Sequence, residues 1–294
     1  MSVPIASDAL GVGLRPSHYR CIDADAPPID YFEIITDNFI GAAKVQAARL
    51  ARVRERYPVV LHGVGLNLLG HTPLDEAYLD AVARLADAVE APFFTDHLCW
   101  TAAQGMHHHD LLPVPYVEDL VDFAASRAYH VQRRIGRPFG LENLSTYVED
   151  HRSTMPEHVF YTRVVQEAGC YFMFDINNVY VSSENHGFDP LPYLEAIDYS
   201  RVLQVHLAGH TRLPGGTIVD THDQAVCDEV WDLYACAWQR FGPFPTLLEW
   251  DDHIPPMAEL QAELARARAV RKTGAARAPD GSSVGKPGAG TSTS

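Results

Sequence analysis

Histidine and carboxylate side chains recur at the ends of short apolar runs in this chain, and together they have the donor chemistry of a transition-metal centre. The runs are GVGLR (11–15), YFEII (31–35), PVVLHG (58–63), FFTDHL (93–98), PFGLEN (138–143), YFMFDIN (171–177), RVLQVHLAG (201–209) and PTLLEWD (245–251). Near their ends stand Arg15, Glu33, His62, His97, Glu142, Asp175, His206 and Glu249. Imidazole suits zinc, iron or manganese, and a carboxylate can bridge two ions. The set His62, His97, Glu142, Asp175, His206 and Glu249 exceeds the three protein ligands that one catalytic zinc usually takes. Its size implies more than one metal, with Glu142 shared between ions.

Asp220 and His222 in IVDTHD add two further donors. Read as an extended segment, residues two apart face the same way, so this pair can serve another ion near the same place. Asp251 stands two residues after Glu249 and is a candidate general base; a turn or helix cap is its competing role. Asn143, Asn177 and Asn178 follow ligand candidates, where an amide can orient substrate or a bound carboxylate, although Asn after a strand is also ordinary turn chemistry. His107, His108 and His109 form a run between two apolar segments, placed in a loop with a shaping or substrate-contacting role and direct ligation as the alternative. Arg15 and Glu33 are assigned to structure or substrate orientation. His18, His71, His130, His151, His158 and His253 are read as structural, while His186 and His210 stay open.

The elements that must hold these donors are strands alternating with helices. Helix-like apolar spacing fills 41–57, 75–89, 115–135, 156–168 and 225–241. A repeated strand-helix-strand order means a parallel sheet with right-handed crossovers, and eight repeats predict a (β/α)8 TIM barrel whose active side chains gather at one mouth. An open doubly wound sheet is the alternative, but GVGLRP lacks the third glycine of a phosphate-binding loop.

The 294 residues suit one barrel domain over 1–270 and a tail over 271–294. That tail, RKTGAARAPDGSSVGKPGAGTSTS, has almost no large apolar residue and is expected to be disordered. The net charge is −15, and since the tail carries +3, the body carries −18. So acidic a body, with three lysines in the whole chain, argues against a nucleic-acid binder and suits a partner with a basic face. Five cysteines without CxxC spacing argue against a disulfide framework or a thiolate zinc site. The start has no basic region followed by an apolar core, and no run approaches the roughly eighteen apolar residues of a membrane span. A cytoplasmic enzyme is expected.

The segments GVGLRPSHY, FEIITDNF, LHGVGLNL, DHLCW, DLLPVPY, LENLSTY, FDINNVYVSSENHGFDP, HLAGH, DTHD and LEWDDHIPP resemble the multinuclear non-heme iron-dependent oxidases, the family of the methanobactin-maturing oxidase. The resemblance runs from about Gly11 to Leu264. It implies a xylose-isomerase-like barrel holding two or three iron ions in a mixed-valence Fe(II)/Fe(III) state, with O2 as co-substrate. The implied reaction modifies a side chain, Cys or another such as Asp, of a ribosomally synthesised precursor peptide, with a small partner protein recognising the leader. By motif position the implied iron ligands are His62, His97, Glu142, Asp175, His206, Asp220, His222 and Glu249. Two places depart from the family pattern: Thr36-Asp37-Asn38 replaces a Ser-Glu-Asn, and His109 replaces an Asn before DLLP. Both bear on substrate identity. The rival enzyme is a divalent-metal sugar isomerase or hydrolase on the same type of barrel, and a metal-storing or peptide-binding scaffold is a third reading.

Overall fold

The computed structural model describes residues 5–103 and 106–273, leaving aside the side chains of 103–109. All eight apolar runs form strands: β1 (Leu10–Gly13), β2 (Tyr31–Ile35), β3 (Val59–His62), β4 (Phe94–His97), β5 (Phe139–Glu142), β6 (Tyr171–Asp175), β7 (Val202–Leu207) and β8 (Thr246–Leu248). Each pairs in parallel with its neighbours in chain order, and β1 pairs with both β2 and β8, closing the barrel. Strands buried on both faces read as continuous apolar runs rather than alternating ones, which is why they stand out in the sequence.

The two-residue period of a strand puts the donors at the mouth. Side chains two apart share a face, so the barrel interior passes from Tyr31 to Glu33, Val60 to His62, Phe93 through Thr95 to His97, and Leu247 to Glu249. Tyr31, Val60, Phe93, Leu203 and Leu247 pack together as the apolar floor. Gly11 makes room for it, since a Cβ there would lie 2.5 Å from the Tyr31 ring. Above the floor, register sets His97 beside Glu142 and Asp175 beside His206.

The outer layer comprises α1 (Tyr19–Asp25), α2 (Lys44–Arg54), α3 (Glu76–Ala88), α4 (Glu118–Ile135), α5 (Glu157–Ala168), α6 (Ile176–His186), α7 (Leu191–Ala196), α8 (Asp228–Phe241) and α9 (Met257–Thr273). Asp75 caps α3 by accepting from the N–H groups of Ala77 and Tyr78. Gly136 and Gly169, both at left-handed φ, end α4 and α5. The five helices expected from periodicity are present within a few residues of their expected bounds. No helix among the described residues is long and apolar enough to cross a membrane, and the five cysteines are free.

Three expectations need correction. Helix α6 begins directly after β6, where the FDIN run had been read as extended; the Asp175 carboxylate accepts from the Asn178 N–H and starts the helix inside that run. His107, His108 and His109 lie on the second strand of a hairpin (Trp100–Ala103 with Met106–Leu112) rather than in a loop, and their side chains lie outside the described residues. The folded body also runs past residue 270. Arg271 donates to the Tyr234 hydroxyl (2.6 Å), the Asp8 carbonyl (2.6 Å) and Thr246 Oγ1 (2.8 Å), and its guanidinium lies 4.0 Å from the Trp238 ring centroid. Of the tail, residues 274–294 lie outside the described residues.

Those contacts tie α9 to α8, β8 and the N-terminal segment. A chain ending at Val270 should therefore be less stable by about 2–3 kcal/mol, with a Tm about 5 °C or more below that of a chain ending at Thr273, measured by calorimetry. A pH effect arises at Glu157, the first residue of α5, whose carboxylate accepts from the Leu144 N–H at 3.3 Å. Burial pushes this carboxyl up to about 7, against hydrogen bonds from Leu144 and Tyr193. The folded state thus holds the proton more tightly than the unfolded chain. Its contribution is present below the ordinary carboxylate range and is lost as pH rises through about 7. Glu157→Gln should accordingly stabilise the protein relative to the parent at pH 8.5, by at most about 3 kcal/mol, and do little at pH 4; urea melts at both pH values measure the difference.

Candidate metal centre

Four triads of His and carboxylate donors occupy the C-terminal mouth, each with ligand atoms within 4.8 Å of one another. They are His62–His97–Glu142, Glu142–Asp175–His206, Glu33–His206–Glu249 and Asp175–His222–Glu249. Glu142, Asp175, His206 and Glu249 each belong to two of them, so the donors form one continuous network. Asp220 completes it from the loop after β7, its Oδ1 lying 2.6 Å from His222 Nε2. The eight residues with ligand-type chemistry picked out by spacing therefore do meet. Glu33, set apart from them by sequence, also joins: its Oε2 lies 3.2 Å from His206 Nε2.

The Asp220–His222 pair meets by a route other than the extended segment expected. His222 adopts a left-handed backbone at φ +47°, and its N–H donates to the Gly209 carbonyl (3.1 Å) while the Asp220 N–H donates to Tyr147 Oη (3.1 Å). The turn, rather than strand alternation, brings the two side chains together.

Ring tautomers support a fit to metal. Thr95 Oγ1 donates to the Leu61 carbonyl (3.4 Å) and so accepts from His62 Nδ1 (2.9 Å). The Gly63 carbonyl, which can only accept, takes the Nδ1 hydrogen of His97 (3.2 Å). Each ring thereby turns Nε2 toward the shared carboxylate, the arrangement in which a neutral imidazole offers a lone pair. Those Nε2 atoms stand 3.4 and 3.0 Å from Glu142 Oε2, out of hydrogen-bonding geometry, and this oxygen and Asp175 Oδ2 are buried without any hydrogen bond. An orphaned buried carboxylate oxygen costs about 1–3 kcal/mol or more, which a cation would relieve.

Proton affinities reflect this crowding. Burial, with His97 and His206 nearby, holds His62 well below the ordinary imidazole value. Burial also disfavours charge on His97, but Glu142 and Asp96 outweigh it and lift the ring to about 9. Carboxylates likewise overcome burial at His206 and His222, which rise well above the ordinary value. Burial raises Glu142 well above the carboxylate range and, with Asp220, raises Asp175 to about 7. Glu249 goes the other way, since His222 and His206 outweigh its burial.

Several polar residues brace the donors. Arg15 pairs with Asp251 Oδ1 (2.5 Å), and Asp251 Oδ2 lies 3.0 Å from His222 Nδ1. Asn177, proposed for catalysis, has both ends of its amide engaged: Nδ2 donates to Asp220 Oδ1 (2.7 Å) and Oδ1 faces His210 Nδ1 (2.8 Å). Asn143, proposed to touch substrate, instead exchanges two hydrogen bonds with the main chain of Asp175, each 2.9 Å. Sequence reasoning passed over Gln204 and Thr95, whereas Asn178 had been read, with Asn143 and Asn177, as an amide able to orient a bound carboxylate. Gln204 donates to Glu33 Oε2 and accepts from the Tyr31 hydroxyl (3.1 Å); a polar residue two before His206 in an apolar strand was its signal. Asn178 donates to Glu142 Oε1 (3.2 Å). Of the open histidines, His186 bonds Thr146 Oγ1 (2.9 Å) and His210 bonds Asn177, and neither joins a triad. Buried His18 bonds the Pro255 carbonyl.

A family model described as RiPP precursor modification enzyme MbnB/TglH/ChrH matches residues 9–272. The chain belongs to the MbnB/TglH/ChrH family. A UPF0276 protein of Caulobacter vibrioides is 45% identical over 263 residues, covering 89% of this chain and 94% of that one. A UPF0276 protein of Acaryochloris marina is 41% identical over 262 residues, with coverage of 89% and 94%. Among solved structures, endonuclease IV of Thermus thermophilus (TM-score 0.60, 17% identity) and D-psicose 3-epimerase of Clostridium cellulolyticum (TM-score 0.58, 12% identity) each match over 90% of this chain and 99% of theirs. These distant matches give the fold, a xylose-isomerase-like barrel, and within it the MbnB/TglH/ChrH member carries the donors described above.

If Glu142 is shared between ions, Glu142→Gln should lower the metal content per chain measured by plasma mass spectrometry. Thr95→Ala, which leaves every donor in place but frees His62 Nδ1, should weaken metal affinity by about 10–100-fold in chelator competition.

Proposed function

We propose that this chain is an iron- and O2-dependent oxidase that modifies a side chain of a ribosomally made precursor peptide in the cytoplasm, aided by a small leader-binding partner protein. The observation that carries the reading is the network of shared donors, in which Glu142, Asp175, His206 and Glu249 each serve two triads, within a chain of the precursor-modifying family. The fit of tautomers and orphan oxygens supports a multinuclear metal centre held by His62, His97, Glu142, Asp175, His206, His222 and Glu249, with Asp220 and Glu33 at its margin. Iron held by these residues would supply the electrons for reducing O2.

The protein's own groups then have separable tasks. His62 keeps its proton on Nδ1 against Thr95 and His97 keeps its own against Gly63. Asp251, 37% exposed and hydrogen-bonded to His222 Nδ1, is the group through which a proton leaves toward water, and Arg15 holds its other oxygen. Asn177 is a positioning residue that fixes Asp220 rather than touching the reacting atoms. Arg15 is the substrate-facing candidate at the rim, His109 is a second proposed substrate contact whose side chain lies outside the described residues, and Asn143 acts as a brace on Asp175.

The decisive experiment purifies the protein without oxygen, reconstitutes it with Fe(II), and follows the short peptide encoded beside it by mass spectrometry. A mass change that requires both iron and O2, and disappears in His97→Ala, is the expected result. Turnover that proceeds anaerobically with Mg²⁺ or Mn²⁺ on a sugar would overturn it in favour of the isomerase or hydrolase reading.

A further inference from the structure

In this strongly acidic protein one α-helix of the described residues lacks carboxylates, and it borders the mouth. Helix α2, KVQAARLARVR, contains Lys44, Arg49, Arg52 and Arg54 and no carboxylate, whereas every other α-helix among the described residues carries at least one Asp or Glu. Arg54 is tied to Glu90 and to the Val89 carbonyl, but Lys44, Arg49 and Arg52 are exposed and have no carboxylate within ion-pair distance among the described residues. Val45, Arg49 and Arg52 recur at i, i+4 and i+7, which puts them on one side of the helix. Only Leu50 and Val53 of this helix are buried, so the basic side is turned outward.

Beside this helix runs a groove of about 500 Å³, with Leu14, Tyr19, Phe39 and Val45 as its apolar wall and Arg15 and Arg49 as its charges. Among the described residues no carboxylate lines it. Val45 is 67% exposed there, a large apolar side chain turned to solvent. Nearby Asp37 is turned away, its Oδ2 accepting from the Val64 N–H at 3.0 Å. The inner end of the groove is Arg15, which reaches Asp251 and through it His222 of the metal centre.

We infer that this groove and the basic side of α2 dock an extended segment of the precursor peptide that carries acidic side chains next to an apolar one. The inference rests on the peptide-modifying reading above and specifies how the peptide approaches. Charge complementarity selects this occupant. An acidic segment is repelled by a folded body of formal charge −16 over residues 1–273, and least along the one α-helix of the described residues that carries no carboxylate. An apolar residue finds Val45 and Phe39, and the chain beyond it is led past Arg15 into the mouth.

The probe is a fluorescein-labelled synthetic peptide of about fifteen residues, four of them Glu and two of them Leu, compared by anisotropy with a counterpart in which every Glu is Gln. The parent protein should bind the Glu peptide at least about tenfold more tightly at 50 mM salt, with the preference fading toward 500 mM as screening sets in. Arg49→Glu/Arg52→Glu should abolish the preference, Val45→Glu should weaken both peptides, and Arg133→Glu/Arg134→Glu on α4 should leave the preference intact. Equal binding of the two peptides, or a preference unchanged in Arg49→Glu/Arg52→Glu, overturns the docking site. The two readings fail separately. A protein that oxidises its precursor while showing no acidic preference loses only the docking site; one that shows the preference yet never modifies a peptide with iron and O2 keeps the site and loses the oxidase.

Discussion

Charge compensation in a confined space governs this structure. Four imidazoles and five carboxylates converge at the mouth of one barrel, where removing ions from water costs several kcal/mol each unless they are paired or metal-bound. The arrangement answers that cost by contact: His206 lies between Glu33 and Glu249, and His222 between Asp220 and the pair Glu249 and Asp251. What pairing leaves over is the Glu142 and Asp175 oxygens without hydrogen bonds. A polar cluster so incompletely satisfied is a poor way to stabilise a fold, so its presence marks function. The apolar floor of Tyr31, Val60, Phe93, Leu203 and Leu247 supplies the stability beneath it.

Much of the fold was legible because a barrel strand is buried on both sides and announces itself as an apolar run ending in a polar residue. That rule located all eight strands, and strand alternation placed His62, His97, Glu142, Asp175, His206 and Glu249 together before any contact was known. It failed where the chemistry was local. The segment after Asp175 is rich in β-branched residues and looks extended, but the carboxylate caps a helix there, and a side chain that is both ligand and cap has no separate sequence signature. Glu33 was assigned to structure or substrate orientation, yet it joins the donors; it sits in the middle of β2, and the stagger of strands in a closed barrel brings a mid-strand residue level with His206. Asn143 and Asn177 show a further limit, since composition cannot tell an amide facing the mouth from one already engaged by backbone or carboxylate.

Similarity to sugar epimerases and endonuclease IV at identities of 17% or less shows how little the barrel itself commits to a reaction. The chemistry resides in the donors and in the polar residues that fix them. Thr95 and the Gly63 carbonyl choose which nitrogen of each imidazole is free, although neither is a ligand. Substituting them alters the site without altering its composition.

The dual role of Asp175 has a mechanical consequence. One oxygen starts α6 through the Asn178 N–H while the other faces the donors, and the first turn of that helix carries Asn177, which grips Asp220, and Asn178, which grips Glu142. The start of α6 and the donor cluster are therefore one hydrogen-bonded unit: the carboxylate that caps the helix shares its first turn with the two amides that fix the Asp220 and Glu142 carboxylates.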